Sequence, residues 1–440
     1  MWSVRKHLLV LSIILAGLVF MPLLHANLPP FIRSYHSWVF VWGISLVVFA
    51  PKVFIQKTML FVYLLGVYLW LMLNTVWMEM DPWQNRTFWG DYYAMFLAVS
   101  IITYFTYTKN YIDLAILTKF SVIFIGITAF MTIIVSIFDP MYSRNINAFE
   151  MEQMFSDSYI SRIRGFQRWG AGSRGDGFGF IALPPLLLYY LKSKKRIFLT
   201  ERWIWLFIIV LMLALIRMQF ATLLIFGFIL LFLASIKPKN RKLTFAGLFF
   251  LMVLFIIVPA EIFASFFFRI SHYFENQEVL KRYFDDIGSY ISMGGGEIVG
   301  NAVSGRVDVR YTSAWEYFID NPLFGTYFNQ DSTYNSSLGE GHLFLMNKLT
   351  VTGLVGFLLW LLPFWFCYKA ISRDFKKDFK FVFILVLLGI ILYGLIKVII
   401  VRQAWMLFFV IIPGMYYLPL LKQKESININ DKELNGKKEY

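Results

Sequence analysis

Leu211–Gly227 reads LMLALIRMQFATLLIFG, one arginine among sixteen uncharged residues. A guanidinium stays protonated in any protein environment. At the centre of a membrane-spanning helix it costs roughly 2.5–3.5 kcal/mol even on lenient insertion scales. The apolar run around it extends from Trp203 to Ile236. As one helix it would be about 51 Å long, against a hydrocarbon core of ~30 Å. Both flanks, KSKKRIFLTER before and KPKNRK after, are rich in Lys and Arg. Cationic flanks mark the cytoplasmic side, and a single span cannot have both ends there. The run is therefore predicted to be a hairpin, with Arg217 at its outer turn.

The rest of the chain reads the same way. Of its 440 residues, 58% are hydrophobic and only 15% charged, well under the share in soluble domains. Further apolar runs lie near 8–24, 37–54, 58–77, 88–107, 114–138, 176–191, 243–262, 343–368, 379–399 and 404–421. The fold class expected is an all-α polytopic membrane protein of about 12 transmembrane helices, with both termini cytoplasmic. The first run has no small-residue cleavage site after it and is read as a retained helix. Residues 1–262 would hold helices 1–9, with an outer loop at 139–175. A large, partly helical outer loop follows at 263–341, then helices 10–12 at 342–421 and a cytoplasmic tail at 422–440. The one cysteine, Cys367, excludes an intrachain disulfide.

In a soluble chain the net charge of +14 would suggest nucleic acid, but topology accounts for it and no nucleic-acid partner is expected. The inner segments carry 19 Lys and 5 Arg, the usual positive-inside habit. The outer segments carry 1 Lys and 13 Arg. Arginine differs from lysine in its planar fork, which grips phosphate or carboxylate oxygens in two parallel hydrogen bonds. Two readings follow: an outer face that recognises an anion such as a phosphate, or arginines paired with the loops' own Asp and Glu. The first loop contains RIRGFQRWGAGSRGDG, with Arg164, Arg168 and Arg174 as candidate anion ligands.

In the large loop, SGRVDVRYTSAWEYFIDNPLFG predicts a helix N-capped by Ser304 and stopped at Pro322. Val307, Tyr311, Ala314, Trp315 and Phe318 make its apolar face, and Arg306 and Arg310 lie one turn apart beside it. A helix N-terminus with an adjacent arginine can hold an oxyanion; an amphipathic surface helix with solvated arginines fits the same pattern. Glu340 and His342 stand where the loop re-enters the membrane. Lys348 lies about 9 Å further along that helix. Lys397 and Arg402 fall near the outer end of the eleventh span. No metal-ligand spacing is present, and neither metal nor cofactor is expected.

Ser304-Gly305-Arg306, Trp315, Asn321-Pro322-Leu323-Phe324-Gly325, His342 and TGLVGFLLWL at 352–361 together resemble the bacterial O-antigen ligase and O-antigen polymerase superfamily. The long outer loop before the tenth helix and the arginine opening the eighth fit it too. Leu343 stands where the family commonly has asparagine. The resemblance implies a multi-pass enzyme of the inner membrane, active on the periplasmic side without a metal. It would transfer glycan from an undecaprenyl-diphosphate-linked donor to a glycan or lipid A core acceptor. Arg217 and Arg306 would bind the diphosphate and His342 would act in the active site. Arg164, Arg168, Arg174, Arg310, Glu340, Lys348, Lys397 and Arg402 complete the candidate substrate-binding set. A chain-length regulator or a flippase is a further partner compatible with that role.

Polymerase is favoured over ligase because the outer loops carry sugar-stacking aromatics, among them Trp169, Tyr283, Tyr290 and Trp315. A polysaccharide or lipid transporter is the rival class. Coupled transporters place carboxylates or broken helices near the midplane of related halves. Here no acidic residue lies deep in a span, and no internal repeat is visible.

Overall fold

The computed structural model describes residues 4–29, 32, 34–75, 82–140, 142, 157–218, 220–237, 240–241, 260–275, 281, 284–285, 287–289, 312–325, 344–396 and 401–423. Among these every regular element is a helix. Among the described residues three helices are long and apolar enough to cross a membrane: Tyr111–Phe138, Phe344–Asp374 and Lys377–Leu395. Four shorter apolar helices accompany them, at His36–Phe49, Lys57–Leu71, Thr222–Ser235 and Arg402–Met415. The chain divides into two compact units, Met1–Ser235 with Leu358–Tyr393 and Ile399–Tyr440, and Ile236–Phe357 with Gly394–Val398.

Up to residue 235 the helices of the first unit are α1 (Val4–Phe20), α2 (Pro22–Asn27), α3 (Tyr35–Phe49), α4 (Lys57–Thr75), α5 (Pro82–Tyr107), α6 (Tyr111–Phe138), α7 (Asp157–Arg168), α8 (Gly177–Ser193), α9 (Glu201–Arg217) and α10 (Ala221–Ser235). The run around Arg217 is two helices: α9 ends on Arg217 and α10 starts four residues later, packed against it. A cation in the last turn also complements the partial negative charge of the helix C-terminus. Both helices pack on α8, whose residues from Gly177 to Tyr190 are all buried. That explains how α8 tolerates Pro184-Pro185, because surrounding helices hold the turn where two backbone donors are missing. Lys192, at its end, donates to the Ala234 and Ser235 carbonyls that close α10.

In the second unit, α11 (Ala260–Tyr273) runs through residue 262, where the last span before the large loop was placed to end. The predicted helix at 304–321 is described from Thr312 to Asp320 as α12. The apolar run near 343–368 is helical, with one interruption. Its helix, α13 (Phe344–Ile371), is broken at Gly353, where φ is +61° and ψ −175°. The break exposes backbone donors, and the loop after α12 takes them: Leu354 N–H donates to Pro322 O at 2.8 Å and Val355 N–H to Leu323 O at 3.0 Å. Thr350 Oγ1 donates to Ala314 O at 3.0 Å, tying the two helices again. Gly325 has φ +79°, and its Cα lies so close to Gly353 that a Cβ on either would overlap the other segment's backbone. NPLFG and the TG of TGLVG, two of the motifs that carry the family resemblance, thus interlock.

α14 (Lys377–Ile396) follows. The last predicted span, 404–421, is α15 (Val401–Met406), a π-helical turn at Leu407–Ile411 and α16 (Ile412–Met415). Such π-turns inside α-helices are frequent at functional sites.

Candidate functional site

The site is built on the loop that joins α7 to α8. Tyr142, Ile163, Phe166 and Ala171 form a buried cluster with Val135 of α6 and fix α7 in place. Burial pushes the Tyr142 phenol above its ordinary range, and nearby Asp176 and Asp139 add to the effect. It stays protonated and donates to Ala171 O at 3.3 Å. Gly172 N–H donates to Thr132 Oγ1 at 2.8 Å, and Asn27 Nδ2 to Arg168 O at 2.8 Å. Gly170, at φ +90°, lets the chain turn against Leu23. The loop is therefore clamped along its length before it reaches Arg174.

Residues 173–177, SRGDG, then meet two other segments. The Arg174 guanidinium lies over the Phe220 ring at 4.9 Å, in the turn that follows Arg217. A Cβ on Gly175 would lie 2.9–3.0 Å from the Cδ, Oε1 and Nε2 of Gln403, so that amide lies flat across the glycine. A Cβ on Gly177 would stand 2.8 Å from Leu223 at the start of α10. Three stretches carrying predicted anion ligands, around Arg174, Arg217 and Arg402, converge here.

The polar groups at this junction are only partly satisfied. Asp176 Oδ2 accepts from Ser173 N–H at 2.8 Å and from Ser173 Oγ at 3.2 Å. Asp176 is 3% exposed, and its Oδ1 is buried without a hydrogen-bond partner among the described residues. The same holds for Arg174 Nε and Gln403 Oε1. Each such group left unmet costs roughly 1–3 kcal/mol, so clustering three at one junction points to a site rather than to packing. Cation, carboxylate, amide and aromatic ring side by side can hold a polyhydroxylated anion.

The other predicted residues fall as follows. Arg217 is exposed at the end of α9. Arg164 and Arg168 are exposed on α7. Their neighbour Arg162 pairs with Asp139 at 3.0 Å, the alternative of arginines matched by the loop's own acids. Lys348 is buried, with its ammonium 5.4 Å from the Phe344 ring centroid. Arg402 lies in the wall of a large groove with His36 and Trp89. Arg306, Arg310, Glu340, His342 and Lys397 lie outside the described residues. Asp176 and Gln403 are absent from the predicted set. The glycines flanking Asp176 were the available signal, since they permit the close approach of Gln403 and Leu223. No protein-family model, curated protein or solved structure matches the chain.

Proposed function

We propose that the chain is a multi-pass glycosyltransferase of the bacterial inner membrane, acting at the periplasmic face on an undecaprenyl-diphosphate-linked oligosaccharide. The observation that carries this reading is the junction of Arg174, Asp176, Phe220 and Gln403 beside Arg217. In this reading Arg174 and Arg217 receive the charge of the departing diphosphate through bidentate hydrogen bonds. Asp176 Oδ1 and Gln403 Oε1 accept hydrogen bonds from sugar hydroxyls, and Phe220 supports the guanidinium from behind. By family resemblance Arg306 and His342 of the large loop would act on the same donor. His342 activates the acceptor hydroxyl or orients the leaving diphosphate.

Trp169, 48% exposed at the start of the same loop, supports polymerisation, because an open indole face suits the C–H faces of a growing glycan. In the predicted twelve-helix layout, with both termini in the cytoplasm, this junction would lie at headgroup depth on the outer side.

The test is transfer from purified lipid-linked donor. Arg174→Ala and Arg217→Ala are expected to lower turnover by about 10²–10³-fold, as for loss of one oxyanion donor. The Lys variants should recover little, since an ammonium keeps the charge without the fork. Full turnover in either Ala variant removes that residue from the site. In cells, deletion should erase the glycan ladder while one repeat unit remains on the lipid core. Polymer accumulating on the carrier lipid would instead identify a ligase.

A further inference from the structure

A groove of about 1420 Å³ opens between α3, α4 and α5, above the ~300–1,000 Å³ of ordinary small-molecule pockets. Its wall is apolar and aromatic, and Phe40, Ile44 and Val47 on its rim are 47–68% exposed. One end is polar: Arg402 stands there with His36, whose ring meets Tyr93 edge-on at 5.5 Å, and Trp89 stacks on Tyr93 at 5.9 Å. The other end is closed by Phe54 stacked on Tyr63. Along α3 the groove runs from His36 to Val47, eleven steps of 1.5 Å or about 16 Å, about half of a ~30 Å hydrocarbon core. Gly43 and Gly90 line it, and a Cβ added to either meets nothing within 4 Å.

We infer that this groove binds one two-chain glycerophospholipid with a single anionic phosphodiester, headgroup at Arg402 and acyl chains along α3. Three observations select that occupant. The length is that of one leaflet, which an acyl chain fills and a much longer isoprenoid overruns. Volume over length gives a mean section of about 90 Å², room for more than one extended chain. At the head end the Arg402 guanidinium offers the planar fork that grips phosphodiester oxygens in two parallel hydrogen bonds. Trp89 and Tyr93 beside it are the residue types that settle at headgroup depth. The inference is independent of the glycan-transfer reading and holds whatever the chain transfers.

The test uses the full chain, purified in detergent, stripped of lipid and titrated with phosphatidylglycerol, with retention read by native mass spectrometry. One lipid per chain is expected to stay bound. Arg402→Gln should weaken retention by about 10-fold or more, the scale of one charged hydrogen-bonding group. Gly43→Trp, at a position where an added Cβ meets nothing within 4 Å, puts an indole into the groove and should abolish retention at an unchanged melting temperature. Gly90→Trp repeats the test from α5 should the first variant fold poorly. Diacylglycerol with the same chains should not be retained. Equal retention in a well-folded tryptophan variant would overturn the inference, leaving only an unspecific lipid coat. Retention of diacylglycerol as tight as that of phosphatidylglycerol would overturn it too. So would displacement of phosphatidylglycerol by an equal concentration of undecaprenyl phosphate.

Discussion

Gly353 and Gly325 show how much can rest on a missing side chain. Each has positive φ, and each faces the other's backbone too closely for a Cβ. Gly353→Ala or Gly325→Ala is therefore expected to cost at least about 2 kcal/mol, combining left-handed strain with displacement of the partner segment. A fall in melting temperature of the detergent-purified protein would register it. Gly165→Ala in α7 is the matched control, because its Cβ meets nothing within 4 Å and alanine favours a helix by about 0.5–1 kcal/mol. A melting temperature unchanged in both interlock variants would show that the junction of α12 and α13 is not rigid. The sequence showed Pro322 as a helix stop but not the partner of NPLFG, since a hydrogen bond across some thirty residues leaves no periodicity behind.

Among the elements, α1 and α6 are joined by a contact that apolar patterning does not disclose. Arg5 Nε and Nη2 donate to Asp113 Oδ2 and Oδ1 at 2.5 and 3.0 Å, a bidentate pair. The arginine side chain is 51% exposed and the carboxylate 8%. Removing the arginine strands a buried charge, whereas removing both partners does not. Arg5→Ala is expected to destabilise the protein by about 1–3 kcal/mol. Adding Asp113→Leu to it should restore part of that loss, as read by the same melting measurement. An additive result from the double variant would reduce the pair to a surface ornament. Positive-inside counting groups Arg5 with the other cations before the first span, but it assigns such residues to a side, not to a partner.

For the molecule as a whole, reporter fusions at Lys195, Lys239 and Lys376 are expected to read cytoplasm, and fusions within 139–175 or 263–341 the opposite side. The prediction rests on the division between a lysine-rich and an arginine-rich set of segments. A cytoplasmic result for 139–175 would place Arg174, Asp176 and Gln403 away from any periplasmic donor and end the glycan-transfer reading. The phospholipid groove would survive that outcome, because it depends on depth and charge rather than on sidedness.

The helical class, the long apolar segments and the break at Arg217 follow from sequence alone. Each depends on local quantities: run length against bilayer thickness, the cost of a cation in hydrocarbon, and the sign of the flanks. Arg174 was legible as one of several arginines in the predicted outer loops, but nothing local separated it from Arg162, which pairs with Asp139. The grouping of Arg174 with Asp176, Phe220 and Gln403 was decided only by tertiary structure. So were the interlock of Gly325 with Gly353 and the groove ending at Arg402. These are contacts between residues tens to hundreds of positions apart, made where glycines let backbones approach. A one-dimensional pattern records which face a residue prefers, whereas the fold alone determines which residue it meets.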